Sequence, residues 1–596
     1  MAQSVLTRPK VALSTDRSAA DCSRLGNFHT HAGLLDMVMC EPCIAGTKGV
    51  INRKTFTRSS QVLFPAFESV REYYDFFKVP LRYLWSKWND WKININDLNS
   101  SREVYASVDA GGNFNIDLSQ PTNVPRMNFT QAMLESLMSS PTSTPNLSHI
   151  NKCNNMLRLL QQCGIKFGVS NAANNVVNLF KLGAYHKIYN DHYRNTTYES
   201  INQFSYNFDW LYDTAVNVGY GGLLNPSSYP FHLKVAQSLL TMHYVNWQND
   251  YFHNIYPALT YVNSSPNGLN WTIPSSVVNV PVSNNANTFA VNNSIASING
   301  NVGMMQNITT STNATRLSVQ TIRAAFALDK LMRASAYTPK HVREQIKARF
   351  GVDVGDKVSY ESERIGGYVS DVSFGEVTQT VDTSAAGSPS NLGAVGGKGI
   401  GSSDFEEDLN FYCEEDSLIV GIHYFIPTAM YDKTQDPWVQ NLVREDFFQP
   451  EFQNLGLRPV LLKNISGAYR LINPTDDNTI VGYTVPNELY KIGRSENYYL
   501  FNKLYELVEH DAAAQDYLIK GTFTSPLSAF TVHANSVDQY YSSTINADYF
   551  KVKPQVLDPL FAQAYLGRPD TDQFFGCFRI KFAKVHPMDV HGQPSL

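Results

Sequence analysis

The amino-acid sequence predicts a mainly β protein, with strands near both ends of the chain and long mixed insertions between them. Segments with strand composition occur at 34–80, 417–430 and 574–584. The 596 residues include 12% aromatic and only 17% charged residues, whereas soluble proteins average about 25% charged residues. Few charges together with 33 Tyr and 33 Phe favour large buried contacts with other chains.

Composition also argues against several classes of protein. Abundant aromatics and a net charge of only −5 exclude disorder over most of the chain and a surface that binds nucleic acid everywhere. No run approaches 18 apolar residues, so no transmembrane helix is expected. Residues 1–10 lack the apolar stretch of a secretory signal peptide, which predicts a soluble protein made in the cytoplasm.

The first 92 residues are expected to form an irregular polar start, a set of strands and a helix. Residues 1–30 are polar and are predicted to be irregular. Strands are predicted at 34–39 and 54–58, around a glycine turn at 45–49, and an aromatic strand ends at Pro80. In the following helix, 81–92, Trp85, Trp88 and Trp91 recur every three residues, which predicts a buried anchor helix.

The middle of the chain is predicted to be loop-rich with short helices. Residues 93–150 form loops, and helices are expected at 151–163 and 184–195. His186 and His192 in the second helix lack a metal-ligand spacing and are expected to be packed or solvated. Residues 251–315 contain no Asp, Glu, Lys or Arg, which indicates an exposed elaboration or an interface of short β structure.

Two helices are predicted between Ser318 and Gly351. The second has Thr338 as N-cap and Pro339 in the first turn, and Gly351 ends it. From Arg316 to Phe350 there are eight basic residues against two acidic ones. This basic patch is interpreted either as a solvated helix face or as a contact for phosphates.

Near the end of the chain, a loop precedes two strands. The Gly/Ser-rich stretch 381–404 is predicted to be an extended or flexible loop, since its glycines match no phosphate-loop spacing. Residues 417–430 form a buried strand. The alternation of apolar and basic residues at 574–584 predicts a last strand with one face buried.

No pattern of catalytic residues stands out. The seven cysteines are expected to be reduced thiols. His29, His31, Cys40 and Cys43 could hold zinc, but a single CxxC is a weak signal inside an apolar strand, so we expect no metal site. The acidic clusters at 404–408 and 414–416 are interpreted as solvated loops. The sequence therefore predicts a structural or binding protein that is not an enzyme and needs no cofactor.

The predicted strands and their flanks together resemble the major capsid protein of the Microviridae, small tailless bacteriophages with circular single-stranded DNA. Each motif is weak alone, but their order and spacing along 25–596 are specific. The motifs are Asn27–His31, Thr55–Arg58, Glu72–Pro80, Leu81–Trp88, Tyr189–Asn195, Trp247–Phe252, Thr321–Leu328, Ile365–Gly367, Arg444–Gly456 and His586–Pro594.

The resemblance implies an eight-stranded antiparallel viral jelly-roll barrel with long loop and helical insertions. It implies an N-terminal arm, 1–30, and a single capsid domain, 31–596. The expected insertions are 93–180, 196–317, with 251–315 as a surface protrusion, and 381–410. A barrel of eight strands needs only a small part of 596 residues, so the insertions make most of the chain.

The resemblance also implies the function. Copies would assemble, in the host bacterial cytoplasm, into a T=1 icosahedral virion shell that encloses the genome. Expected partners are other copies, the single-stranded DNA, a small basic packaging protein, a pilot or minor virion protein, and a host receptor that meets the insertions. Candidate DNA contacts are Arg323, Lys330, Arg333, Lys340, Arg343, Lys347, Arg579, Lys581 and Lys584.

Two alternatives are carried beside this interpretation. A glycan-binding outer-membrane protein of the starch-binding type can also be large and rich in Tyr and Asn, but it needs a signal peptide and a lipidated cysteine. A β-rich carbohydrate-active enzyme needs an export signal and a catalytic pair of residues. No signal peptide, lipidated cysteine or catalytic pair of residues is evident in the sequence.

Overall fold

The structure is a computed structural model. It describes residues 17–62, 69–93, 106–108, 114–116, 124–129, 131–139, 147–165, 175–212, 222–225, 230–249, 251, 253–257, 323, 327, 330–331, 338–339, 341–355, 359–378, 395–404, 406–428, 430–431, 437–452, 457–461, 480–490, 495–496, 547–554, 557, 561 and 572–588. Two compact units are distinguished, one comprising Met1–Pro257 with Asp353–Leu596 and the other Ala258–Val352.

Ten of the described strands form one antiparallel sheet in the first unit. They are β1 (Ser18–Asp21), β2 (Arg24–Thr30), β3 (Asp36–Cys43), β4 (Lys48–Val62), β5 (Ser69–Pro80), β11 (Glu363–Thr378), β12 (Val395–Ser403), β13 (Leu409–Tyr412), β14 (Ser417–Pro427) and β19 (Phe574–His586).

Short strands and helices occupy the chain between these strands. The remaining strands are β6 (Ala106–Val108), β7 (Phe114–Ile116), β8 (Arg126–Phe129), β9 (Asn175–Asn178), β10 (Leu223–Leu224), β15 (Met430–Tyr431), β16 (Arg458–Leu461), β17 (Ile480–Thr484) and β18 (Ser495–Glu496). The helices are α1 (Leu81–Leu84), α2 (Trp88–Ile93), α3 (Gln131–Met138), α4 (Leu147–Gln162), α5 (Phe180–Ile188), α6 (Gln203–Tyr206), α7 (Pro230–Leu239) and α8 (Val342–Phe350).

Eight of the ten strands of the large sheet form two runs of four, while β1 also pairs with β19 and β13 pairs with β4. One run is β2–β19–β4–β12, the other is β11–β5–β14–β3, and β12 pairs with β11 between them. Among these eight strands taken in chain order, the first pairs with the eighth, the second with the seventh, the third with the sixth and the fourth with the fifth. The chain thus behaves as a folded antiparallel ribbon, and residues 81–362 run between the fourth and fifth strands.

The sheet carries two hydrophobic cores because strand side chains alternate between faces. On β5, Tyr74 and Phe76 belong to a core shared with Ile580 and Phe582 of the other run. Phe77, on the opposite face of β5, belongs to a larger core that includes helix α5. Strand β14 is buried at all eleven positions because both of its faces are covered, which confirms the buried strand predicted there.

The strands predicted at 34–80 and 574–584 are confirmed. Two regions that were predicted to be irregular contain strands. The turn at 45–49 contains Gly46 with φ +85°, a conformation that favours glycine. Residues 18–21 and 24–30 are strands β1 and β2, because they pair antiparallel with the hydrogen-bonding edge of β19. Residues 395–403 are strand β12, where glycines let the neighbouring strands approach closely.

The tryptophan helix is broken in the middle. Helix α1 ends at Leu84, Trp85 is extended, and a second helix begins at Trp88. Trp85 is nevertheless fully buried, with its ring 5.3 Å from that of Tyr212, so the predicted anchor role is confirmed for Trp85. Trp91 is exposed, and the prediction of one continuous buried helix is wrong.

The predicted helix at 151–163 is confirmed, with Met156, Leu159 and Leu160 buried on α4. The helix predicted at 184–195 begins earlier, as α5, and ends in a π-turn, Tyr189–Tyr193. His186 is buried in the core, whereas His192 is exposed and its Nε2 lies 2.8 Å from the carbonyl oxygen of Ser362.

Of the two acidic clusters, the one at 404–408 is exposed at its described positions, as predicted, whereas the one at 414–416 helps to fix helices on the sheet. Asp416 accepts a hydrogen bond from Trp88 Nε1 at 3.1 Å and forms an ion pair with Lys92. Glu415 accepts a hydrogen bond from Arg82 Nε at 3.0 Å. Hydrogen bonds from α1 and α2 therefore hold this corner of the chain beside β14.

In the second unit, the helix predicted after Thr338 is confirmed but begins later. Its N-cap is His341, and Gln345 Nε2 donates to the carbonyl oxygen of Pro339 at 3.0 Å. Gly351 has φ +71° and ends the helix as predicted, donating its backbone N–H to the carbonyl oxygen of Lys347.

The segment 258–322 lies outside the described residues. Across the described chain, no helix combines the length and apolar character that crossing a bilayer requires.

Candidate nucleic-acid interface

The outward side of the β2–β19–β4–β12 run combines basic and aromatic side chains. In the middle of β4, Lys54, Phe56 and Arg58 are exposed, whereas Thr55 and Thr57 between them are buried. On β19, Phe575, Arg579 and Lys581 are exposed, whereas Phe578, Ile580 and Phe582 are buried. We call the exposed set, together with Lys398 and Ile400 of β12, the basic–aromatic face.

A buried carboxylate explains this inverted pattern, with small polar residues inside and large ones outside. Glu72 on β5 is fully buried, and Thr57 Oγ1 donates to it at 3.0 Å. Tyr74 OH and Ser370 Oγ also donate to Glu72, at 3.1 and 3.2 Å. The inward positions of β4 therefore need hydroxyl groups, and the bulky side chains of that strand are left on its outer side.

The charge on Glu72 is held by its surroundings. Burial alone would raise the pKa of Glu72. This effect is outweighed by the hydrogen bond and charge of His423, whose Nε2 lies 2.9 Å from Oε1 of Glu72, and by the hydrogen bond from Thr57. Arg53, fully buried over the rings of Tyr74 and Tyr368, also favours the carboxylate. The result is a lowered pKa for Glu72, which stays ionised inside the sheet at neutral pH.

Strand register places the members of the basic–aromatic face side by side. Arg579 is opposite Lys54, and Phe575 is opposite Arg58. On the other edge of β4, Ile400 is opposite Arg58. Directly opposed side chains on neighbouring strands lie about 5 Å apart on the same face. Residues from three distant parts of the sequence therefore form one continuous surface.

Some of these cations are neutralised and others are not. Lys54 pairs with Asp404 at 3.1 Å, and Lys581 pairs with Asp408 at 3.5 Å. The Arg58 guanidinium lies 4.9 Å from the centroid of the Phe56 ring. Within the described part of the chain, no ion pair involves Arg58 or Arg579. These two guanidinium groups can therefore meet an external anion.

The three predicted DNA-contact residues of β19 do not all share one face. Arg579 and Lys581 lie on the basic–aromatic face. Lys584 does not, since it is half-buried, donates to the carbonyl oxygen of Pro42 at 3.1 Å and has the opposite strand parity. Lys584 is therefore not part of this face, and its contact with DNA stays a prediction.

The remaining predicted residues belong to the second unit. Arg323 and Lys330 are helical and exposed, Arg343 is half-buried, and Lys347 is exposed on α8. Arg333 and Lys340 lie outside the described residues.

Sequence reasoning missed the β4 and β12 members of this face. Lys54, Phe56 and Arg58 lay in a segment assigned only as a strand, and Lys398 lay in a predicted loop. The alternation of Thr with large basic and aromatic residues at 54–58 was the signal that could have found them.

The structure does not support the zinc interpretation. Cys40 and Cys43 are three residues apart on strand β3, so their side chains emerge on opposite faces of the sheet. Cys40 belongs to the larger core and Cys43 to the core between the two runs. All seven cysteines are free thiols.

Comparison with known proteins specifies the class of protein that this antiparallel sheet builds. Residues 128–503, more than half of the chain, match the family described as capsid protein (F protein), and the chain belongs to that family. The resemblance to Microviridae capsid proteins is thereby confirmed, and membership implies a structural role in the virion.

A curated relative agrees with this assignment. The chain is 25% identical over 292 residues to capsid protein VP1 of Bdellovibrio phage phiMH2K. The match covers 48% of this chain and 47% of that protein, so it spans about half the length of the relative. The comparisons do not support the glycan-binding alternative.

Proposed function

We propose that this protein is the major capsid protein of a circular single-stranded DNA phage and that its copies assemble into a T=1 icosahedral shell around the genome. Membership of the capsid family over 128–503 carries the proposal. Negative-stain imaging of the purified, concentrated chain tests it, and closed particles of one size are the expected result. A chain that stays monomeric, alone and with the other virion proteins, would contradict it.

The strand pairing supports a jelly-roll barrel as the building block. A jelly roll is an eight-stranded antiparallel ribbon rolled into two facing sheets. The pairing of first with eighth, second with seventh, third with sixth and fourth with fifth strand follows from such a ribbon. The core of Phe76, Ile419, Ile580 and Phe582 lies between the two four-stranded runs, as a barrel interior requires.

We further propose that the basic–aromatic face contacts the packaged single-stranded DNA. Single strands bind proteins through cations that meet phosphates and aromatic rings on which bases stack. Arg58 and Arg579 supply the first group, and the exposed Phe56 and Phe575 supply the second. Such contact is independent of base sequence, which suits a shell protein that meets many parts of a genome.

A salt series tests the DNA contact. The double variant Arg58→Gln/Arg579→Gln should bind single-stranded DNA less tightly. The negative slope of log K against log salt should become shallower by about 1.4, or about 0.7 for each lost contact. Lys87→Gln, at an exposed lysine away from this face, is the matched control and should keep the wild-type slope. An unchanged slope in the double variant would dismiss the face as a DNA contact.

The other parts of the proposal come from the family resemblance. They are a place in the virion after assembly in the host cytoplasm, and association with a small basic packaging protein and a pilot or minor virion protein. Residues 251–315 are proposed as an exterior protrusion that meets the host receptor. Deletion of 270–310 should leave assembly intact and abolish host adsorption. A deletion variant that assembles and still adsorbs would contradict the proposed receptor contact.

A further inference from the structure

A second exposed surface, separate from the basic–aromatic face, lies after strand β14. It is apolar and consists of residues that are 39–85% exposed. We call it the apolar platform, and its members are Trp438, Val439, Leu442, Val443, Phe447, Phe448 and Tyr490. The rings of Trp438 and Phe447 lie 6.0 Å apart, and those of Phe448 and Tyr490 lie 6.3 Å apart, so the platform is continuous.

Polar contacts on the inner side hold the platform in shape. Asp446 Oδ2 accepts the backbone N–H groups of Leu442 and Val443, at 2.9 and 3.1 Å. Arg458 on β16 donates to Asn441 Oδ1 at 3.0 Å and to the carbonyl oxygen of Asp446 at 3.1 Å. The backbone is thus tied down through its polar groups while the apolar side chains point outward, an arrangement that is pre-organised for contact.

The size of the platform is that of one side of a protein interface. With about 150–250 Å² for each aromatic side chain, the seven residues expose on the order of 700 Å². The largest apolar patch on a typical monomer is about 300–600 Å², whereas one partner in a standard interface buries about 800 Å². The platform therefore exceeds what a solitary subunit usually leaves in water.

Charge distinguishes a protein partner from DNA. The run 437–448 contains one cation, Arg444, against Glu445 and Asp446, so it offers no net attraction to phosphate. Aromatic residues with few charges are typical of the core of a protein interface. We infer that the apolar platform is a contact between subunits and that its occupant is a second copy of this chain. The inference rests on the proposed self-assembly.

Matched serine substitutions test it. Trp438→Ser/Leu442→Ser removes two exposed platform residues, so the midpoint of thermal unfolding of the unassembled chain should stay near that of the wild type. The yield of closed particles should fall at least about tenfold, because central aromatic contacts dominate interface energies. A second pair compares single sites, since Val439 is 51% exposed and Val369 on β11 is 50% exposed. Val439→Ser should lower particle yield, and Val369→Ser should not.

A direct readout is a photo-crosslinking residue at position 448. Irradiated particles should give a covalent product of two chains whose linked peptides both belong to this protein. Wild-type yield from the double variant, or crosslinks only to DNA or to another protein, would overturn the assignment of the platform. If instead the wild-type chain forms no particles, the proposed function fails and not merely the platform.

Discussion

The stability of the subunit should fall as the medium is acidified from pH 7 to pH 4, because buried histidines must accept protons. His186 is fully buried on α5. Its Nε2 lies 2.5 Å from the carbonyl oxygen of Leu239, so this nitrogen carries the proton. Nδ1 must then accept from Nε2–H of His243, 2.9 Å away, and both rings are neutral.

Burial lowers the pKa of His186 to about 4. It also lowers the pKa of His243 well below its ordinary value, and the charge of Lys551 and any proton added to His186 lower it further. In the unfolded chain a histidine has a pKa near 6.5. At a pH between the folded and the unfolded pKa, the histidine is protonated in the unfolded state and neutral in the folded state. The free energy of unfolding therefore decreases as the pH falls. For His186 alone, the loss amounts to roughly 3 kcal/mol by pH 4.

Urea unfolding of the unassembled chain from pH 7 to pH 4 measures this loss. His186→Asn should be less stable at pH 7, because it disturbs a packed site, yet its stability should depend less on pH. The control His29→Asn changes an exposed histidine on β2 and should keep the wild-type dependence. If His186→Asn shows the full wild-type loss between pH 7 and pH 4, the neutral buried pair is not its cause.

Three further outcomes follow from the packing of the sheet. Glu72→Gln should cost about 3–5 kcal/mol at neutral pH, because it removes the buried charge opposite Arg53. Since the pKa of Glu72 is lowered, its contribution is lost as the pH falls through that value, so wild type and variant should converge in acid urea titrations. Trp85→Ala should cost about 3–5 kcal/mol in urea unfolding, and a loss below 1 kcal/mol would contradict its anchor role. Gly576→Ala should lower the thermal midpoint strongly, because the added methyl group would lie 2.3 Å from the carbonyl oxygen of Phe56. Gly375→Ala, which meets open space in the same sheet, should leave the midpoint almost unchanged; equal effects at both glycines would refute the steric argument.

Much of the sheet could be predicted from the sequence, because the pattern of consecutive residues is enough to indicate most of its strands. The apolar run of β14 and the alternation of β19 are properties of consecutive residues. Strands β2 and β12 could not be predicted in this way. They are polar or glycine-rich, and they are strands only because β19 and β4 offer them hydrogen-bonding edges.

The sequence by itself determined the capsid family, the mainly β class and the absence of an evident catalytic pattern. Only the tertiary structure decided which cations share a surface. It joined Arg58 to Arg579, more than 500 residues apart in the sequence, and it turned Lys584 to the other side of the same strand. The physical reason is that strand register and parity set the direction of a side chain, and register depends on partners far away in the chain.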